Sequence, residues 1–142
     1  MKVQQCMSSN VEVCAPDDTI RDVARKMVEC DCGVMPIGEN DRLVGVVTDR
    51  DIAIRAVAEG KGPDTPARSV MSQEVLYCYD DEDIQEVSDN LAMLKIRRMP
   101  VVNRDKHLVG IVSLGDITMS DGRAGEIAFR GVSQPGGPHQ QA

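Results

Sequence analysis

Aromatic residues are nearly absent: the 142-residue chain holds two tyrosines, one phenylalanine and no tryptophan. Any core must therefore be aliphatic. Histidine is scarce too, and the two present, His107 and His139, fall in an apparent turn and a polar tail. No nucleophile–base pair and no metal-ligand cluster is recognisable, so neither a catalytic residue nor a metal site is assigned. No apolar run reaches about eighteen residues, which excludes a membrane-spanning helix. The opening Met1-Lys2-Val3-Gln4-Gln5 lacks the apolar stretch of a secretory leader, and a cytoplasmic location is the expectation. A basic face is also missing, for the net charge is −7. That opposes nucleic-acid binding, which needs cations to neutralise phosphates, but leaves room for a small anion held by a few local donors.

Five cysteines, Cys6, Cys14, Cys30, Cys32 and Cys78, show no disulfide-framework spacing, and free thiols in a reducing compartment are expected. Cys30-x-Cys32 is a weak metal signal against the plainer reading of small residues filling a helix end. Apolar residues make up 42% of the chain, as in an ordinary globule.

The chain repeats itself. Met7-Ser8-Ser9-Asn10-Val11 aligns with Met71-Ser72-Gln73-Glu74-Val75 at a shift of 64, which also carries Asp17-Asp18-Thr19-Ile20 onto Asp81-Glu82-Asp83-Ile84 and Met35-Pro36 onto Met99-Pro100. After one inserted residue, Leu43-Val44-Gly45-Val46-Val47-Thr48 matches Leu108-Val109-Gly110-Ile111-Val112-Ser113 at a shift of 65. Chance similarity rarely keeps register through so many kinds of position.

Each copy reads as β-α-β-β-α, an α/β unit. Val11 to Cys14 alternates as a short strand, and Ile20, Val23, Ala24, Met27 and Val28 recur at helical spacing as one buried stripe. Thr19 with Asp22 resembles a capping box, and Gly33 is expected to end the helix. Val34 to Ile37 and the all-apolar Leu43 to Val47 are strands around a polar turn, the latter suited to a central position. Thr48 and Asp49 then cap a helix with Ile52, Ala53, Ala56 and Val57 inside. In the second copy Val75 to Cys78, Met99 to Val102 and Leu108 to Val112 are strands. Ile84, Val87, Ser88, Leu91 and Leu94 make the stripe, and Asp116 to Met119 opens the last helical turn. The boundaries expected are residues 1–61 for the first domain, 62–66 for a Gly- and Pro-rich connector and 67–125 for the second domain, with Ala67 to Met71 a helical lead-in. Residues 131–142 are expected to be disordered. Each copy alone is too small for an ample core, so the two should form one module.

Gly45-Val46-Val47-Thr48-Asp49-Arg50-Asp51, repeated as Gly110-Ile111-Val112-Ser113-Leu114-Gly115-Asp116, resembles the signature of the CBS domain. With the Met-Ser lead-ins and Met-Pro steps, the resemblance spans about residues 3 to 120 and is closest to stand-alone bacterial two-CBS proteins, including stress- or hypoxia-associated ones. It implies tandem CBS domains, a Bateman module of pseudo-twofold symmetry. Two clefts between the copies would bind AMP, ADP, ATP, NAD or S-adenosylmethionine, with AMP or ATP the expected regulatory ligand. It also implies pairing into a homodimer. Asp51 and Asp116 would then accept from ribose hydroxyls, and Thr48 and Ser113 would contact ribose or the first phosphate.

Residue chemistry supports those roles, since a carboxylate accepts both hydroxyls of a cis-diol and amides at a helix start suit a phosphate. The same residues are equally competent helix caps. Arg97 and Arg98 stand where the first copy has Gly33 and Val34, and Arg98 is the preferred phosphate contact. The competing role is a surface cation paired with an acid. Arg50, matched by Gly115, is a further candidate. Val13, Cys14, Met35, Pro36, Ile37, Val75, Tyr77, Met99, Pro100 and Val101 could wall an adenine, against the ordinary role of core. Pro36 and Pro100, which lack an amide donor, are expected at a strand edge on the cleft side. The expected function is nucleotide-responsive regulation acting in trans through an unidentified effector protein. The alternative is a ligand-free interaction dimer.

Overall fold

A computed structural model describes residues 1–135. They form two compact units, one of Glu12–Val75 and one of Met1–Val11 with the chain from Leu76 onward.

The Glu12–Val75 unit has helix α1 (Ile20–Cys30) over a hairpin of β1 (Val34–Glu39) and β2 (Arg42–Thr48). Asn40 and Asp41, with φ of 55° and 62°, turn the hairpin; two left-handed residues match the twist of the paired strands. Helix α2 (Asp49–Asp51) runs directly into a π-helical stretch, Ile52–Val57. The other unit repeats the plan with β3 (Cys78–Tyr79), α3 (Ile84–Leu94), β4 (Arg98–Val102), β5 (Leu108–Ser113) and α4 (Leu114–Ser120). It then adds α5 (Gly122–Val132), which sequence periodicity did not reveal. Its sheet runs β3-β4-β5, with β3 parallel and β5 antiparallel to β4. Both hairpins carry the same irregularity, at Ile37/Gly38 and at Val101/Val102, 64 residues apart. The copies thus share their defects as well as their order.

The cores are aliphatic. Ile20, Val23, Met27, Met35, Ile37 and Val47 fill one, and Ile84, Val87, Leu91, Met99, Val101 and Val112 the other. Their short lead-ins are exchanged. The 3-10 turn Val3–Gln5 heads the first copy in sequence, yet Val3 is buried in the core of the second. The turn Ala67–Ser69 heads the second copy, and Ala67 and Val70 are buried in the core of the first. Ser8 bridges Ile111 on the outer side of β5, and Ser72 bridges Val46 on the outer side of β2. Each lead-in covers an otherwise exposed strand edge, which would invite pairing with another chain. Glycine in the strand makes room for the methionine before that serine. A methyl group at Gly45 would lie 2.6 Å from Met71 Sδ, and one at Gly110 equally close to Met7 Sδ. The Met-Ser and Gly motifs are spatial partners across copies.

Several expectations are corrected. Val11 to Val13 form no strand; only Cys14 makes a bridge, parallel to Ile37, and β3 is reduced to two residues. Pro36 and Pro100 explain this, because a proline cannot donate to a neighbouring strand. The Pro36 carbonyl accepts from Cys14 N, so pairing begins only there. Pro100 lies on β4, the central strand and not an edge, one residue before the β3 ladder opens at Val101. Val28 is 81% exposed and Val57 69% exposed, outside their supposed stripes. For Val57 the cause is the π-helix. Ala58 N and Lys61 N donate five residues back, so the turn is wider; Ala56 is buried in the core and Ile52 packs against it, while Val57 turns outward. Gly33 does not end α1. Asp31 does, at φ 52°, as Lys95 does for α3 at φ 56°. Thr19 Oγ accepts from Asp22 N, giving a single cap. Of the expected disordered tail, Gly131 and Val132 are helical and Ser133 to Pro135 form a turn and bend, while residues 136–142 lie outside the described residues.

The left-handed cap yields a test. Lys95→Gly removes the Cβ strain of that conformation and is expected to stabilise the protein by about 0.5–1 kcal/mol, read as a higher urea midpoint. A lower midpoint would contradict the assignment of Lys95 as the cap.

Cys30 and Cys32 are joined in a disulfide, which corrects the reading of five free thiols. The left-handed Asp31 between them turns the chain and holds their Cα atoms 5.4 Å apart, within bridging range. Cys6, Cys14 and Cys78 remain thiols. Burial is the main cause raising all three, and it pushes Cys78 up to about 12. Because the folded state favours the neutral thiol, the associated stability is intact below the unfolded value near 9. It is lost as pH rises from there toward 12. Cys78→Ala is expected to flatten the fall in thermal midpoint above pH 9, compared with the native chain. An unchanged slope would contradict a buried neutral thiol.

Candidate functional site

Each Thr/Ser-x-x-Asp element stands where the last strand of a hairpin enters a helix. Thr48 Oγ accepts from Asp51 N at 3.0 Å, and Asp51 Oδ2 accepts from Thr48 N at 2.9 Å. Ser113 and Asp116 repeat the exchange, both bonds at 3.0 Å. These are reciprocal capping boxes, worth about 1 kcal/mol each. The expected phosphate cradle of helix-start amides is corrected. Asp49 N donates to Gly33 O, Arg50 N to Asp49 Oδ1 and Leu114 N to Arg97 O. With Asp51 N and Asp116 N also engaged, Gly115 N alone stays free of a bond within the described residues.

The two elements differ in what remains available. In the first copy Thr48 is only 8% exposed, and Arg55 Nε lies 3.8 Å from Asp51 Oδ1, the oxygen the cap leaves over. In the second copy Ser113 is half-buried, and Asp116 Oδ1 accepts no hydrogen bond from the described residues. Ser113 Oγ accepts from the amide, so its own proton is free to donate.

Charge separates them further. At Gly33 the space a side chain would take is occupied by the Asp49 carboxylate, with Oδ2 2.9 Å from the would-be Cβ. The equivalent positions of the second copy are Arg97 and Leu114. Arg97 and Arg98 are exposed, and neither forms an ion pair or side-chain hydrogen bond among the described residues. The surface-pair role is therefore not what the described residues provide. A cavity of about 470 Å³ brings Arg97, Arg98 and Ser113 together with Leu114, Gly115, Thr118, Met119 and Phe129. Asp116 does not line it. Thr48, Asp51 and Arg50 belong to the other unit.

The apolar candidates divide by burial. Cys14, Met35, Ile37, Met99 and Val101 sit in the two cores with almost no free surface, and Pro36 and Pro100 are buried. Packing is their evident work. Val13 and Val75 are half-buried, and Tyr77 is exposed with its ring edge-on to Tyr79. His107 is exposed in its turn. Phe129 and Met119 are not singled out by sequence: Phe129 lies beyond the repeated part, and Met119, within the second copy, reads only as part of the opening helical turn. Asp121 followed by Ala124 and Ala128 was the available signal of the helix that carries Phe129.

A profile of the CBS domain matches residues 3–57 and again 67–121. The chain belongs to the CBS-domain family, as a tandem pair. Its fold is the mixed α/β fold of two CBS domains. The CBS domain-containing protein YhcV of Bacillus subtilis is 37% identical over 118 residues, covering 83% of this chain and 84% of YhcV. The crystal structure of Hypoxic Response Protein I with two coordinated zinc ions superposes with a TM-score of 0.77 at 34% identity. That match covers 84% of this chain and 98% of the other. The CBS domain protein PAE2072 from Pyrobaculum aerophilum, complexed with AMP, gives a TM-score of 0.78 at 25% identity over 91% and 99% of the two chains. The CBS domain pair of MJ0100, in complex with methylthioadenosine and S-adenosylmethionine, gives 0.75 at 25% over 87% and 97%. An inosine-5′-monophosphate dehydrogenase of Methanocaldococcus jannaschii matches over only 23% of its own length. Stand-alone CBS pairs of this kind are typically non-catalytic. Among the described residues no helix is long and apolar enough to cross a membrane, and no cluster of three metal-ligating side chains occurs.

Proposed function

We propose that this CBS pair is a regulatory module for an adenosine-type ligand carrying phosphate, and that its second copy provides the anion site. The observation that carries the reading is the cavity lined by the Ser113 hydroxyl and two guanidiniums that have no ion-pair partner among the described residues. Its size lies in the usual range of small-molecule sites. A guanidinium offers fixed, permanently charged donors matched to phosphate oxygens. Ser113 would donate to ribose or phosphate, and Asp116 Oδ1 would accept from a ribose hydroxyl. The AMP of PAE2072 supports the ligand class, and the phosphate-free adenosine compounds of MJ0100 support its adenosine part alone.

In the first copy, Thr48 and Asp51 act as a helix cap, and Asp49 disfavours a second phosphate beside them. Arg50 then covers the helix surface. Regulation would pass in trans to an effector protein, with the chain as a homodimer. The ligand can shift such an assembly only by binding its two states unequally.

The test is calorimetric titration of protein stripped of co-purified ligand with AMP, ATP, NAD and S-adenosylmethionine. Saturable binding is expected, weakened about 10- to 100-fold by Arg98→Ala, the loss of a charge-assisted contact. Absence of binding by all four at millimolar concentration would overturn the proposal in favour of a ligand-free interaction dimer.

A further inference from the structure

The family match ends at residue 121, and α5 begins at Gly122. Helix α5 is therefore an addition to the CBS pair, with no counterpart in the first copy, whose last helix stops at Val57 before the Gly-Pro connector. Its three glycines make it a poor helix in isolation. Docking holds it. Asp121, extended at φ −150°, breaks the chain from α4 and caps α5 by accepting from Arg123 N and Ala124 N. Ala124 and Ala128 are fully buried, Gly125 fits against Thr118, and Gly131 lies against Ala92 of α3 with no space for a side chain. The helix is seated by small residues on one face. Phe129, the one phenylalanine of the chain, points elsewhere. It is 59% exposed and forms part of the wall of the cavity that holds Arg97, Arg98 and Ser113.

We infer that Phe129 is the base-recognition residue of this site: its ring stacks on the planar heteroaromatic base of a nucleotide whose phosphate is held by the arginines. The inference rests on the ligand reading above and adds what that reading lacks, a surface for the base. The apolar segments expected to wall an adenine are mostly committed to the cores, so a base in this cavity must find its face elsewhere. An exposed aromatic ring on a docked helix supplies it without ordering any new segment. Met119, 89% exposed on α4, adds a polarisable side chain to the same wall. A stacked base is recognised by its π-face, so the preference is for planar rings over any one base.

The experiment compares AMP with ribose 5-phosphate, which keeps sugar and phosphate and lacks the base. It uses the full chain and its Phe129→Ala, Phe129→Trp and Arg98→Ala variants. Phe129→Ala is expected to weaken AMP about tenfold and leave ribose 5-phosphate unchanged, while Phe129→Trp restores AMP binding. Arg98→Ala is expected to weaken both. AMP binding that resists Phe129→Ala yet falls with Arg98→Ala would overturn the base contact and leave the anion site standing. Equal loss of both ligands in Phe129→Ala would overturn it too, by making the helix a mere support. If the native chain binds no adenosine ligand, the ligand reading and this inference fall together.

Discussion

Val3→Asp is expected to raise amide exchange across residues 76–132 while residues 12–75 stay protected, although Val3 belongs by sequence to the first copy. Val3 is fully buried with Ile84, Val87 and Leu91, so an acid there leaves an unpaired charge among aliphatic side chains. The cost is about 4 kcal/mol, a large share of a small domain's stability. Val70→Asp is the mirror experiment, for Val70 is buried with Val23, Met35 and Val47. It should expose residues 12–75 first. Hydrogen exchange followed by mass analysis of peptides separates the two patterns. Protection lost in each lead-in's own copy would contradict the exchanged arrangement.

Gly110→Val should be nearly as damaging, by about 2–3 kcal/mol, through overpacking. A Cβ at residue 110 would lie 2.6 Å from Met7 Sδ and 2.9 Å from the Ser8 carbonyl oxygen. The thioether is flexible and the carbonyl is held by its bridge to Ile111, so only part of the clash can be relieved. Met7→Ala on its own should cost about 1 kcal/mol. In combination with Gly110→Val it should recover about 1 kcal/mol relative to the sum of the two, a coupling read from denaturant midpoints. Strict additivity would mean that Met7 and residue 110 do not meet.

The repeat made most of the fold legible before any coordinates. Aligned motifs located both hairpins, the stripes of α1 and α3, and the Thr48–Asp51 and Ser113–Asp116 elements. What escaped has physical causes. The exchange of lead-ins is invisible because Met7 and Met71 align with each other, and a repeat does not say which copy each one covers. The missing strands at Val11–Val13 and Val75–Tyr77 alternate correctly, but a proline on the facing strand offers no amide, and pairing starts only at Cys14 and Cys78. Helix α5 is glycine-rich and held by docking against Thr118 and Ala92, which propensity cannot register. The Cys30–Cys32 disulfide depends on the left-handed Asp31 between them.

For the site, sequence singled out Arg97 and Arg98 by their absence from the first copy, and the described structure places both in one cavity with Ser113. Of the amides expected to hold phosphate, all but that of Gly115 are used within the fold. The carboxylate that makes the first copy different, Asp49, matters because of its nearness to Gly33, which sequence distance conceals. Phe129 lay outside every aligned motif.

The central claim is that the two copies, alike in fold, differ as sites. The most direct measurement is the stoichiometry of AMP on the stripped chain by intact-complex mass measurement, repeated for Arg97→Ala/Arg98→Ala and for Thr48→Ala/Asp51→Asn. One AMP per chain, lost with the arginines and retained without Thr48 and Asp51, is the expected result. Two equivalent AMP molecules per chain, or one that survives the arginine substitutions and disappears with Thr48 and Asp51, would contradict it.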